Sequence, residues 1–440
     1  MPLGKRWKLI LISLALVLGS LLILPFLIPS DGYRIKLQQF ASDNLGEPVG
    51  IGRLSFRLLP WPSVTLADIS IGAQQPVRVG SITVTPDLSS LFSEVKVIQA
   101  VTVHDLTVNP ALVGRIPAWS KPTSGPKTVV LRRLELRGLN LDFGALKWGP
   151  LQGEIRMRDA GLQSVQVGPE DGSLWLTLLP EPEESYQVTI EGSQFKLPIK
   201  PALVFDSLQA QGKLTKTGLN LSRLNASLYG GQLQAPLRLA WHDGWQLSGT
   251  LKATAVEVSQ IVRMLSPTSA FSGRLHAEGG YSLAAKTPAA LADNLQADIR
   301  FEIKNGVLDK VDLAAAARLL TRQGARGGQT RFDHLSGLAR IQGKRYYLQQ
   351  LKVSSGALDA EGEVAISPSR ELAGQVTVEL KGTATLVSVP LNVSGTLQEP
   401  VLFPSGAALA GAAVGTGLLG PGLGTAIGSK AGQALEKLFK

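Results

Sequence analysis

The stretch Leu9–Ile28 holds twenty residues without a charge, interrupted only by Ser13, Gly19, Ser20 and Pro25. At about 1.5 Å per residue it makes roughly 30 Å of helix, enough to cross a hydrocarbon core. Single small residues or a proline are tolerated in such spans. Lys5, Arg6 and Lys8 precede it and Asp31 follows it, so the positive-inside rule puts residues 1–8 in the cytoplasm and the bulk of the chain on the far side. A cleaved signal peptide shares the charged start but has a shorter apolar core, roughly 7–15 residues. Pro25–Pro29 contains no A-x-A-like cleavage site. The expectation is one uncleaved transmembrane anchor carrying one extracytoplasmic body.

Outside the anchor the chain is rich in Leu, Val, Gly, Ser and Thr and modest in charge, which suits a β-rich globular body and argues against disorder. The 440 residues include no cysteine, which removes disulfides, zinc–thiolate sites, Cys nucleophiles and a lipid-modified Cys together. Net charge is +10, but no run of five like charges occurs. A solvated face with scattered Lys and Arg is therefore a plainer reading than a patch for anionic headgroups.

Along the body, Tyr33–Leu45 spaces Ile35, Leu37, Phe40, Ala41 and Leu45 roughly as a helix would, and Gly46 is a natural stop. Val49, Ile51, Leu54, Phe56 and Leu58 then read as a strand, broken at Pro60-Trp61-Pro62. A pattern recurs from there. Val64 and Leu66 alternate, Ala67-Asp68 intervene, and Ile69 and Ile71 resume on the opposite parity. Val101/Val103–Leu106/Val108 does the same around Asp105, and Leu134/Leu136–Leu139/Leu141 around Gly138, at spacings of 37 and 33 residues. Weaker copies lie at Leu219/Leu221–Leu224/Ala226 and Tyr346/Leu348–Leu351/Val353. Such a slip predicts a bulge or tight bend at which the strand changes the face it buries, and its recurrence predicts a long sheet extended by similar units. Helical patterns are few: Val258–Leu265, Ala290–Leu295 and the Ala-rich Val311–Leu320. Pro117–Lys127, Leu179–Ser185 and Gly324–Gln329 read as loops or linkers. Ala407–Ile427 is uncharged and runs into glycines at four-residue spacing, Gly420, Gly424, Gly428 and Gly432. Either a membrane-associated or a surface-packed tail fits that composition.

No catalytic constellation emerges. His104, His242, His276 and His334 fall in separate segments, and none opens a metal-binding pattern. The sequence has no nucleophile elbow, no Walker-type phosphate loop and no G-x-G-x-x-G that opens a helix. Arg318, Arg322, Arg326 and Arg331 read as an exposed basic stretch rather than a nucleic-acid grip, which an extracytoplasmic location would also disfavour. The chain is expected not to be an enzyme, with no catalytic residues, no cofactor and no metal, and no nucleic acid as a partner.

In order along the chain, three stretches resemble the AsmA family of inner-membrane-anchored periplasmic proteins. The first is the anchor and short helix leading through Val49-Gly50-Ile51 and Leu58-Leu59-Pro60 to Leu66-Ala67-Asp68-Ile69-Ser70-Ile71. The second runs from Gly249-Thr250-Leu251 to Phe271-Ser272-Gly273-Arg274-Leu275. The third begins at Ile303-Lys304-Asn305-Gly306-Val307-Leu308 and ends at Val393-Ser394-Gly395-Thr396-Leu397 and Pro400; residues 121–245 are the least distinctive. The resemblance implies outer-membrane biogenesis, a single anchor in the cell inner membrane, and a periplasmic body that is mainly β with a few short helices. That body would be a long, twisted, repeat-extended antiparallel sheet forming an open, β-taco-like groove along which phospholipid passes, and the family supplies no catalytic residues.

An acyl chain needs an apolar trough, which a strand provides when one face is apolar and the other polar. Leu134 and Leu136, Leu233, Leu237 and Leu239, and Val376, Val378 and Leu380 have that alternation and are the candidate groove residues. The same alternation would equally pack a closed β core. Domains are accordingly expected as 1–8 cytoplasmic, 9–28 anchor, 29–120 N-terminal block, 121–300 middle β-rich region, 301–400 C-terminal module and 401–440 Gly/Ala-rich tail. Beyond phospholipid and the inner membrane, an envelope protein is a possible partner. The alternative function is a structural accessory of an envelope assembly or secretion machine, which would show a closed core and an exposed apolar patch.

Overall fold

The computed structural model describes residues 30–59, 61–73, 77–90, 92–109, 112, 129–143, 146–158, 161–197, 203–265, 271–318, 324–381 and 387–406. The expected anchor at 9–28, the linker at 117–127 and the Gly/Ala-rich tail at 407–427 lie outside the described residues. Among the described residues no helix is long and apolar enough to cross a membrane. The fold is mainly β, as expected, with 24 strands and three short α-helices among the described residues. It divides into two units between Glu191 and Gly192.

The first unit opens with helix α1 (Ser30–Leu45), followed by β1 (Val49–Arg57), β2 (Ser63–Ile71), β3 (Val77–Pro86) and β4 (Lys96–Val108). Next come β5 (Val129–Leu131), β6 (Arg133–Phe143), β7 (Leu146–Arg158), β8 (Gly161–Pro169) and β9 (Leu174–Glu181). Strand β10 (Ser185–Lys196) crosses the boundary between units. Gly46 ends α1 as expected, at φ 68°, with its N–H donating to the Ser42 carbonyl at 2.9 Å. Neighbours in sequence pair antiparallel, with one departure: β4 lies parallel to β5 and β6. The expectation of a purely antiparallel sheet is corrected here to a mixed one. Parallel neighbours need a long crossover, and the chain has residues 109–128 between β4 and β5.

A crease crosses this sheet. Asp68 and Asp105 adopt φ of 56° and 55°, and Gly138 sits at 66°, the three positions where the sequence alternation slips. Gly80 lies beside Asp105, and a Cβ there would come within 2.9 Å of the Asp105 Cβ; one on Gly138 would come within 2.6 Å of Asp105 Oδ1. Aspartate is among the few residues that tolerate this backbone region, and glycine leaves room for its side chain. The crease corrects the expectation that each strand changes faces at the slip. Leu66 and Ile69, Val79 and Ile82, and Val103 and Leu106 all belong to one apolar cluster, packed with Val49 and Ile51 against Ala41 and Leu45 of α1. The left-handed residue absorbs the extra step, so residues three apart stay on one face.

The second unit begins with β11 (Val204–Thr215), β12 (Gly218–Leu228), β13 (Gly231–Gln234), β14 (Leu237–Ala240) and β15 (Trp245–Glu257). Helix α2 (Val258–Leu265) precedes β16 (Phe271–Ala285) and β17 (Gln296–Asp309), and helix α3 (Leu313–Arg318) precedes β18 (Ala325–Arg326). Then follow β19 (Gln329–Gln342), β20 (Arg345–Ser354), β21 (Leu358–Ile366), β22 (Leu372–Leu380), β23 (Val387–Gly395) and β24 (Pro400–Pro404). The strands form an antiparallel meander in which β13 and β14 together fill one position between β12 and β15. The Gly324–Gln329 stretch, read as a loop, contains β18, because Ala325 and Arg326 pair with Leu402 and Val401 of β24. Bends recur here too, at Ala255, Asn305 and Gln350, with φ of 57°, 52° and 51°.

Candidate functional site

The second unit's register aligns apolar residues in rows across the sheet. One row runs Leu219–Leu239–Leu247–Leu283. A second runs Leu221–Leu237–Gly249–Tyr281–Ala297–Ile341–Tyr346–Ile366–Leu372. The next rows carry Leu251–Gly279–Ile299–Ala339–Leu348–Val364, and Ala226–Leu233–Ala253–Ala277–Phe301. Neighbours of opposite parity, such as Arg238, Ser248, Ser282 and Asp298, are exposed. Antiparallel partners share a face, so these rows form one continuous apolar face.

This face curls inward. A Cβ on Gly212, Gly279, Gly362 or Gly374 would come within 2.8 Å of the Cα opposite it, on Leu221, Ile299, Val376 and Val364 respectively. Glycine allows strand backbones to approach there as no other residue would, and all four glycines lie on the apolar side. Desolvation on the same side pushes the Tyr281 phenol above its ordinary 10.0.

Two helices cover parts of the face. Val258 and Val262 of α2 pack on Leu275, Ile303 and Phe332. Leu313, Ala316 and Ala317 of α3 pack on Leu358, Val378, Leu380, Val389, Leu391 and Leu402. Thr330 pins α3, its hydroxyl accepting from the Leu313 N–H at 2.9 Å and donating to the Val311 carbonyl at 2.7 Å. Elsewhere on the face, Leu219, Leu237, Leu239, Leu247, Leu283, Ile299 and Leu348 are only half-buried.

The eight candidate groove residues fall in three places. Leu134 and Leu136 are in the first unit, half-buried on β6 beside Val101 and Val103 of β4. Leu233, Leu237 and Leu239 sit together on the half-buried N-terminal strands of the second unit's face, where Leu233 shares a cluster with Ile261 of α2. Val376 packs against the α3 core, while Val378 and Leu380 lie inside it with 0% and 7% exposure. Alternation alone missed Leu247, Leu283, Tyr281 and Ile299, which join the face through register. Their strands were visible in the sequence, but the order in which strands pair was not.

The opposite face is charged and cross-linked. Arg340 Nε donates to Asp298 Oδ1 at 2.8 Å, and Lys381 Nζ stands 2.7 Å from Asp359 Oδ1. The hydrogen bond from His334 at 3.1 Å, helped by Lys304, holds the Glu302 carboxyl below the usual range. Among the described residues no cluster of three or more His, Asp or Glu could hold a metal. A depression of about 640 Å³ on this face is lined by Lys252, His276, Glu278, Arg300, Glu302 and Lys352, among others.

A model of the AsmA family matches residues 159–342, which bears out the resemblance seen in the sequence. The match runs from β8 to β19 and contains Leu233, Leu237 and Leu239, and it includes much of the stretch that read as least distinctive. Searches of curated proteins and of solved structures found no match. The match to the AsmA family suggests a role in the cell envelope, in outer-membrane biogenesis.

Proposed function

Taking the AsmA-family segment at residues 159–342 as the premise, we propose that this protein binds and passes phospholipid along the apolar face of its second unit. Residues 9–28 anchor it in the inner membrane, and the sheets stand in the periplasm. The observation that carries the reading is the largely half-buried apolar face that runs across nine strand positions from β12 to β22. At ~4.8 Å per strand that is about 40 Å, more than twice the ~15 Å of one leaflet's hydrocarbon. Acyl tails would lie against Leu237, Leu239, Leu247 and Ile299, excluding water from both surfaces, while headgroups reach the polar rim. The groove is open along its N-terminal strands, and α3 closes its C-terminal end.

Site-specific photocrosslinking in the full chain tests this in cells. A photoreactive side chain at Leu237 or Leu247 should capture phospholipid, and one at Arg238 or Ser248 should not. Equal capture from both faces, or none, would overturn the lipid reading. Capture of a protein instead would favour a structural accessory of an envelope machine.

A further inference from the structure

One end of the first unit carries apolar side chains that the sheet does not use. The β3–β4 connection presents Phe92, 97% exposed, together with Leu88 and Val95; the β1–β2 connection presents Trp61, 71% exposed. The register puts both connections at the same end, since Arg57 pairs with Ser63 and Pro86 with Ile98. Phe92 does not hang on a slack loop. The Asp87 carboxylate accepts from the Ser89 N–H at 3.0 Å and hydroxyl at 2.6 Å, and the buried Ser90 hydroxyl accepts from the Val97 N–H at 2.8 Å. Arg132 pairs with Asp87 at 3.2 Å. A braced turn holding a bare phenylalanine in water is costly unless something covers it.

Helix α1 indicates what covers it. It runs antiparallel to β1: Ser42 Oγ accepts from the Val49 N–H at 2.9 Å, Arg34 donates to the Ile51 carbonyl at 3.1 Å, and the Tyr33 ring meets Phe56 at 6.3 Å. The start of α1 therefore lies at the Trp61–Phe92 end, and the uncharged stretch Leu9–Ile28 ends two residues before Ser30. We propose that this end of the sheet docks on the surface of the bilayer holding residues 9–28, with Trp61 and Phe92 inserted at the headgroup level, where such side chains are favoured. Arg34, Arg57, Lys96, Arg132 and Arg133 at this end stand against Asp31, Asp87 and Glu94, a small positive excess, so the contact is carried mainly by its apolar side chains. The acidic β9–β10 turn, with Glu183 and Glu184, lies at the same end but roughly 25 Å along the sheet at ~4.8 Å per strand, which confines the contact to the β1–β5 corner. Two fixed points, the anchor and this corner, would orient the sheet relative to the membrane. The proposal rests on the anchor reading given above.

Because the chain has no cysteine, single cysteines can report on it. In the full chain reconstituted into phosphatidylcholine vesicles with doxyl-labelled lipid, an environment-sensitive fluorophore is attached at Ser93→Cys, Ser63→Cys or Ser173→Cys. Ser173, in the β8–β9 turn, marks the opposite end of the sheet. Quenching should be severalfold stronger at 93 and 63 than at 173, should survive high salt, and should drop to the 173 level when Trp61→Glu and Phe92→Glu are added. Circular dichroism checks that the variants remain folded. A chain that floats with the vesicles yet shows 93 no more quenched than 173 overturns this proposal alone. A chain that does not float overturns the anchor reading with it.

Discussion

The N-terminal strands of the second unit's apolar face and its C-terminal end are built from the same material and finish differently. Leu237-Arg238-Leu239 and Val376-Thr377-Val378-Glu379-Leu380 alternate alike, and both belong to antiparallel strands with polar side chains behind them. At the C-terminal end, six residues of α3 convert the face into a core in which Val378 and Leu391 have 0% exposure. In the N-terminal strands, Leu237 and Leu239 stay half-buried. Binary patterning thus produces a sheet with an apolar side, and whether that side becomes core or binding surface depends on what docks on it.

Truncation should separate the two regions most strongly. Leu391→Ala, under α3, is expected to cost about 2–5 kcal/mol through lost burial and a cavity, whereas Leu237→Ala should cost about 1 kcal/mol, since half of its surface transfer is already missing. Urea unfolding of both variants checks this, and equal costs would mean that the N-terminal strands are as closed as the end. The curl of the face is probed by Gly279→Val, whose side chain would run into the Asp298 carbonyl and the Ile299 Cα. A loss of about 1–3 kcal/mol is expected from overpacking, with weaker phospholipid capture from Leu237 as the sheet flattens.

The smallest effect is electrostatic and belongs to the C-terminal end. Hydrogen bonds from Lys381 and Ser354 lower the Asp359 carboxyl below its ordinary 3.8. A depressed folded-state value stabilises the fold above the unfolded value and loses that contribution as pH falls through the lowered one. The pair is exposed, so the contribution is a few tenths of a kcal/mol. Lys381→Met should reduce the drop in Tm between pH 7 and pH 3 slightly, and an unchanged drop would remove the pair from the acid response.

Much of the local structure was legible in the sequence. Gly46 marks the end of α1, Val258–Leu265 is a helix, and the slips at Asp68, Asp105, Gly138 and Gln350 coincide with left-handed residues in strands. A chain has few ways to place a branched apolar residue out of step, so the slip itself is a strong signal for a bend. Its consequence was not legible. Whether the bend turns a strand over or keeps one face apolar depends on the neighbour's backbone, as Gly80 and Gly138 beside Asp105 show. Ala290–Leu295 reads as helical but forms two three-residue 3-10 turns, Pro288–Ala290 and Ala292–Asn294, in the connection between β16 and β17.

By itself, then, the sequence determined a mainly β chain with strands of period two, bends at fixed places and an uncharged twenty-residue stretch before α1. These follow from near-neighbour geometry, which side-chain size and backbone preference control locally. Tertiary structure alone decided that β4 lies parallel to β6, that Ala325 and Arg326 pair with β24, and that α3 rather than solvent or a ligand meets Val378. Each of those contacts joins residues far apart along the chain, and an apolar side chain packs equally well against any apolar surface that the fold brings to it.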